Sequence, residues 1–122
     1  MYIEWAERFR VLGDATRLRI LSLLSVRDAC VCELVELLPI SQPAVSQHLR
    51  KLKQAALVDE YRRKSWVFYR LRTDMPSYIA DWIQELRADD RDIAWLTTHQ
   101  VGTLCTTPKV IRVQPTGDVE DQ

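Results

Sequence analysis

Glycine and cysteine are both scarce in this chain, three of each among 122 residues. With so little glycine, and five prolines, the composition is globular and excludes a disordered, collagen-like or repetitive chain. The three cysteines, Cys30, Cys32 and Cys105, are an odd number, which argues against a disulfide framework and for thiols. No apolar run reaches the roughly 18 residues of a membrane helix. Met1-Tyr2-Ile3-Glu4-Trp5 also lacks the basic-then-apolar layout of a signal peptide. The expectation is a soluble, cytoplasmic protein with no membrane partner. A chain this short makes about one domain, which excludes a catalytic barrel or a large α/β sheet. Its 47% apolar residues supply one modest core that oligomerisation would help.

A net charge of zero argues against nucleic-acid binding until the chain is divided. Residues 1–40 carry five Lys/Arg against six Asp/Glu, residues 41–72 eight against two, and residues 73–122 four against nine. A basic middle between neutral and acidic parts fits a module that faces a polyanion, with a tail that faces elsewhere.

Hydrophobic spacing then gives the elements. Trp5, Phe9 and Leu12 recur at helical intervals up to Gly13. Asp14 caps a second helix, Ala15 to about Ser25, with Leu18, Ile20, Leu21 and Leu24 as its apolar face. Asp28 is expected to cap a short helix from Ala29 to Leu38, ended by Pro39. Ser41 caps the next, which tolerates Pro43 because a first-turn amide has no intrahelical partner, and which runs to about Ala55. On that helix Val45, Leu49, Leu52 and Ala56 form one stripe, while Pro43, Ser46, Gln47, Arg50 and Gln54 point the other way. A short helix, a tight link and an outward-facing second helix make a helix-turn-helix.

Two β-prone runs follow, residues 57–61 and 66–71, around a basic turn at residues 62–65. They read as a hairpin wing, and the absence of glycine predicts a loop longer than two residues. Asp74 is expected to cap a last long helix with a stripe of Ile79, Trp82, Ile83 and Leu86, continued by Ile93 and Leu96 after a break at Asp89-Asp90. That stripe needs a partner, either the first helix or a twin subunit. The expected fold is mainly α with a small β-hairpin wing, a winged helix-turn-helix over residues 1–99 that dimerises through its N- and C-terminal helices. Residues 100–122 read as a flexible C-terminal tail.

A winged helix-turn-helix lays its second helix in the major groove of double-stranded DNA. Gln42, Pro43, Ser46, Gln47 and Arg50 lie where such a helix meets DNA: amides suit adenine and Arg suits guanine. Arg62, Arg63 and Lys64 are expected at phosphates, and His48, near the core boundary, either packs or meets a phosphate. In a dimer, half-sites would lie about 34 Å apart, one turn of DNA.

Cys30-Val31-Cys32 stands at the expected start of the short helix, where the dipole and free amides favour thiolate, a ligand for soft ions. On a regular helix these side chains diverge by about 200°, so sharing one ion would require the first turn to unwind. Such a distortion would reach the adjoining recognition helix, with a coupling of about 1–3 kcal/mol typical of allosteric linkage. Cys105 is the candidate third ligand. His99 precedes it by six residues, but no orienting Asp or Asn context or Gly-rich elbow accompanies them, so an enzyme is not expected.

The run Leu12-Gly13-Asp14-Ala15-Thr16-Arg17-Leu18-Arg19-Ile20-Leu21, then Cys30-Val31-Cys32-Glu33-Leu34, then residues 41–49 and the 66–71 strand, resemble the ArsR/SmtB family of metal-responsive repressors. The resemblance covers about residues 5–86. It implies a homodimeric repressor that releases its operator when a toxic or excess metal ion binds. Within that family Cys30-Val31-Cys32 is similar to the arsenic and antimony sensors, implying As(III) or Sb(III) as inducer on three thiolates, with no organic cofactor. The third cysteine of the family pattern is replaced in the Val35-Glu36 stretch. The resemblance therefore leaves the third ligand open among Cys105 of either subunit, a solvent thiol, and none. The zinc-sensing pattern of the terminal helix is unmatched, since Asp81 and Glu85 there have no His until His99. Two alternatives of the same fold remain, a cadmium or lead sensor and a thiol-redox or reactive-sulfur switch that uses Cys32 with Cys105.

Overall fold

Helix caps divide the chain much as the sequence prescribes. The computed structural model describes residues 1–99, and its elements in order are α1 (Tyr2–Leu12), α2 (Ala15–Val26), β1 (Ala29–Cys30), α3 (Val31–Leu37), α4 (Gln42–Gln54), β2 (Val58–Arg63), β3 (Trp66–Leu71), α5 (Ser77–Leu86) and α6 (Asp90–Thr98). Asp14 caps α2 by accepting the Arg17 N–H at 3.0 Å, and that bond holds its carboxyl below the ordinary 3.8. Ser41 caps α4 by accepting the Ala44 N–H, with proline in the first turn. Asp89 caps α6 through the Asp92 N–H.

The core lies between α2, α3, α4 and the base of the wing. Ile20, Leu21, Leu34, Leu49, Leu52 and Leu57 are among its fully buried side chains, with Ile79 and Leu96 from α5 and α6. Each such side chain stabilises the fold by about 1.5–3 kcal/mol relative to exposure. No helix among the described residues is long and apolar enough to cross a membrane.

Five local expectations are corrected. Residues 29 and 30 form a strand, not the first turn of a helix, and β1 completes an antiparallel sheet of order β1-β3-β2. Asp28 does not cap α3; its carboxylate accepts the Tyr61 hydroxyl at 2.7 Å. The cap is Cys30, whose backbone N–H donates to Glu33 Oε1 at 3.1 Å, the reciprocal arm of a capping box. The wing turn holds only Lys64 and Ser65, because Arg63 pairs with Trp66. Lys64 itself takes the left-handed conformation normally left to glycine or asparagine, φ 57°. Asp74 pairs with Arg72 at 2.7 Å, and α5 starts after Pro76. Finally, Ala56 is exposed and beyond α4 in a left-handed C-terminal position, φ 62°. There the Ala56 N–H bonds the Lys53 carbonyl and the Leu57 N–H bonds the Leu52 carbonyl. This is a Schellman closure that turns the chain into β2 with Leu57 buried against Leu52.

Two arginines of the second helix region hold α6 in place. Arg19 donates to both carboxylate oxygens of Asp92, at 3.1 and 2.9 Å, and to the Leu37 carbonyl. Arg27 donates to the Leu96 carbonyl at 3.0 Å. Sequence spacing alone carries neither long-range pair.

Candidate sensing and nucleic-acid sites

The faces of α4 separate by the 3.6-residue period. Val45, Leu49 and Leu52 are buried, while Gln42, Pro43, Ser46, Gln47 and Arg50 are exposed. The exposed row is the one the helical wheel assigns to DNA. His48 sits between them, half-buried, and its Nδ1 is buried with no hydrogen-bond partner among the described residues. On the wing, Arg62 and Lys64 are exposed, whereas Arg63 is half-buried. Its guanidinium lies 5.6 Å from the Phe68 ring centroid. The three basic residues thus divide, two outward and one folded back over the wing.

The thiols meet because the chain changes conformation between them. Cys30 is extended, φ −95° and ψ 169°, and Cys32 is in the first turn of α3. The 200° divergence of a regular helix therefore never arises, and the two Sγ atoms lie 2.7 Å apart. Cys30 is 2% exposed and packs with Phe68, and Cys32, Tyr61 and Trp66 surround that pair. This small cluster belongs to the wing and is separate from the main core. Two soft sulfur donors on one side of a turn suit a thiophilic ion. Among the described residues no group of three or more His, Cys, Asp or Glu side chains is disposed to hold a metal. Cys105 lies outside the described residues. His99 stacks on Trp95 with centroids 4.0 Å apart, and its Nδ1 is 2.8 Å from the Trp95 carbonyl.

Behind the thiols is a buried ion pair. Glu33 is fully buried, and its two oxygens accept from Arg27 Nη1 and Nη2, each at 3.2 Å. Burial pushes the Glu33 carboxyl above its ordinary range, and the Arg27 hydrogen bonds pull in the opposite direction. Arg27 also donates to the Asp28 carbonyl at 2.6 Å, so one guanidinium joins α3, α6 and the residue that leads into β1. Sequence reasoning missed Arg27, Asp28, Tyr61, Trp66 and Phe68 as neighbours of the thiols. The available signal was Glu33, three residues after Cys30, the spacing of a capping box.

At the other end, α1 and α5 share an aromatic face. Trp5 stacks on Tyr78 at 4.9 Å and Phe9 meets Trp82 at 6.2 Å. Phe9 is 50% exposed, Trp82 46% and Leu86 37%. They edge an apolar groove of about 230 Å³ that Leu12, Leu18 and Ile79 also line.

Comparison with known proteins matches residues 14–60 to the model of the bacterial regulatory protein, arsR family. The chain is 41% identical over 73 residues to an arsenic resistance transcriptional regulator of Pseudomonas putida, a stretch that is 58% of this chain and 56% of that protein. The chain thus spans little more than half that relative's length. Against the arsenical resistance operon repressor of Escherichia coli, identity is 41% over 78 residues, 63% of this chain and 67% of that one. Among solved structures, reduced HlyU from Vibrio cholerae superposes with a TM-score of 0.61 at 29% identity, covering 70% of this chain and 86% of that one.

Proposed function

Because the chain belongs to the arsR family of bacterial regulatory proteins, which are transcriptional regulators and not enzymes, we propose that it is a homodimeric repressor released from operator DNA by As(III) or Sb(III) on cysteine thiols. The observation that carries this reading is the convergence of the Cys30 and Cys32 sulfurs beside the middle of the wing, with α3 leading from them to α4. The proposed ligands are Cys30 and Cys32, with Cys105 as the third. The proposed DNA contacts are Gln42, Pro43, Ser46, Gln47, His48 and Arg50 from α4, and Arg62, Arg63 and Lys64 from the wing. Amide and guanidinium groups of α4 read base edges, and the wing cations meet phosphates. No organic cofactor enters this scheme.

The test is fluorescence anisotropy of the reduced protein on duplex DNA from upstream of its own gene, with arsenite, antimonite, cadmium, lead or zinc added singly. Release by arsenite or antimonite is expected. For a dimer making about 6–10 phosphate contacts, affinity is expected to fall about 10³- to 10⁵-fold between roughly 50 and 200 mM salt. Release by cadmium or lead alone reassigns the inducer. Release only after mild oxidation favours a thiol-redox switch through Cys32 with Cys105.

Dimerisation is assigned to the α1/α5 face, where Trp5, Phe9, Trp82 and Leu86 leave large apolar surface in water. Trp82→Glu places a charge at its centre. The expected result in sedimentation is a shift from dimer to monomer, with DNA affinity lowered at least about tenfold because two half-sites are no longer linked. A wild-type protein that sediments as a monomer at micromolar concentration overturns the assignment.

A further inference from the structure

The sheet register sets Cys30, Phe68 and Tyr61 in one row across all three strands, since Cys30 pairs with Phe68 and Phe68 with Tyr61. Directly paired residues project to the same face of a sheet. The contacts agree: Cys30 packs on Phe68, and Phe68 stacks on Tyr61 with centroids 5.7 Å apart. A second link closes the row, because the Tyr61 hydroxyl donates to Asp28, two residues before Cys30. Tyr61 then leads directly into Arg62, Arg63 and Lys64 of the wing tip. Arg70 covers its outer face, guanidinium 4.7 Å from the ring centroid, and Arg63 covers Phe68.

Two routes lead away from the thiols. Along α3 a signal must displace Leu34 and Leu38, both in the main core, together with the Glu33–Arg27 pair. Toward the wing it meets the two-residue edge strand β1, paired with β3 and anchored in the main core only by Ala29, then the Phe68–Tyr61 stack and the Tyr61–Asp28 hydrogen bond. Packed cores resist small displacements far more than a short edge strand does, so the wing is the compliant side.

We propose that Tyr61 is the positioning residue that couples occupancy of the Cys30/Cys32 thiols to the wing, through its hydroxyl on Asp28 and its ring on Phe68. An ion that draws the two sulfurs into its own geometry moves the Cys30 backbone, and Tyr61 passes that displacement to the phosphate-facing cations. Burial and the adjacent Asp28 carboxylate push the Tyr61 phenol up to about 12, so the hydroxyl stays a donor throughout the physiological range. The proposal rests on the inducer reading above and adds the route by which it acts.

The experiment compares wild type, Tyr61→Phe and Asp28→Ala as full chains. DNA affinity is measured with and without saturating arsenite, and arsenite affinity separately by calorimetry without DNA. In wild type arsenite is expected to weaken DNA binding at least about tenfold, within the usual range of allosteric coupling. In either variant the loss is expected to shrink below about threefold. Arsenite affinity and unloaded DNA affinity should each stay within about threefold of wild type, and the double variant should add nothing, as for two members of one link. A merely structural role would lower the unloaded affinities and spare the ratio. Variants that are released as fully as wild type overturn the coupling role and leave the inducer reading intact. A wild type that binds neither arsenite nor antimonite at its thiols overturns the inducer reading, and the coupling role with it. If one variant fails to fold, the other decides, because each removes one end of the same hydrogen bond.

Discussion

Replacing Cys30 and Cys32 together with serine is expected to abolish release from DNA by arsenite, while the unloaded protein keeps its DNA affinity within about threefold. The loss expected is the whole inducer response, about 5- to 150-fold if the coupling has the usual allosteric size. A hydroxyl is a hard, protonated donor at neutral pH and does not replace a thiolate toward a soft ion. The fold tolerates the exchange for a specific reason. Cys30 occupies the N-cap of α3 with Glu33 closing the capping box, and serine is a favoured cap residue with that partner. Its hydroxyl therefore finds a backbone amide and is not stranded beside Phe68. Anisotropy with and without arsenite decides it. A double variant still released at the wild-type dose removes Cys30 and Cys32 from the mechanism, whatever Cys105 does.

The largest effect on stability is expected at Glu33. Glu33→Ala leaves the Arg27 guanidinium, whose side chain is 13% exposed, without its carboxylate, and removes the acceptor of the Cys30 N–H. Breaking a buried pair from one side costs about 3–5 kcal/mol, because the remaining charge is uncompensated. For a small domain with about 5–15 kcal/mol in total, that is a large fraction. Urea unfolding followed by far-ultraviolet circular dichroism is the measurement. Glu33→Gln keeps the shape and one acceptor oxygen, and should recover part of the loss. Alanine at this position changing the midpoint free energy by less than about 1 kcal/mol would show that Arg27 finds another partner and that the pair does not hold β1, α3 and α6 together.

What could be read from the chain alone was the part written in local periodicity. The stripe of Val45, Leu49 and Leu52, the caps at Asp14 and Ser41, and the β-prone run from Trp66 to Leu71 each sit within one element, and each is found as expected. The errors fall where distant groups compete for a residue. Asp28 has the chemistry of a cap, but Tyr61, thirty-three positions away, takes its carboxylate. Residues 29 and 30 are too short a run to carry a strand signal, and only pairing with β3 makes them one. Lys64 adopts a conformation its side chain disfavours because the pairing of Arg63 with Trp66 leaves just two residues to turn. The same applies at the sulfurs. Cys-x-Cys was legible as a thiol site, but the geometry that brings both sulfurs to one side depends on a strand-to-helix boundary between them.

That the thiols sit in the wing's own small cluster and outside the main core has a bearing on inheritance. Mutations that add, remove or shift a sulfur there disturb Phe68, Tyr61 and Trp66, but not the leucines that define the DNA-reading scaffold. On the proposed reading, in which Cys30 and Cys32 hold the inducer, ligand chemistry can drift between descendants faster than operator recognition, because the two draw on different packing. A lineage built on that proposed plan can trade one effector for another while its fold and its DNA reader remain as they were.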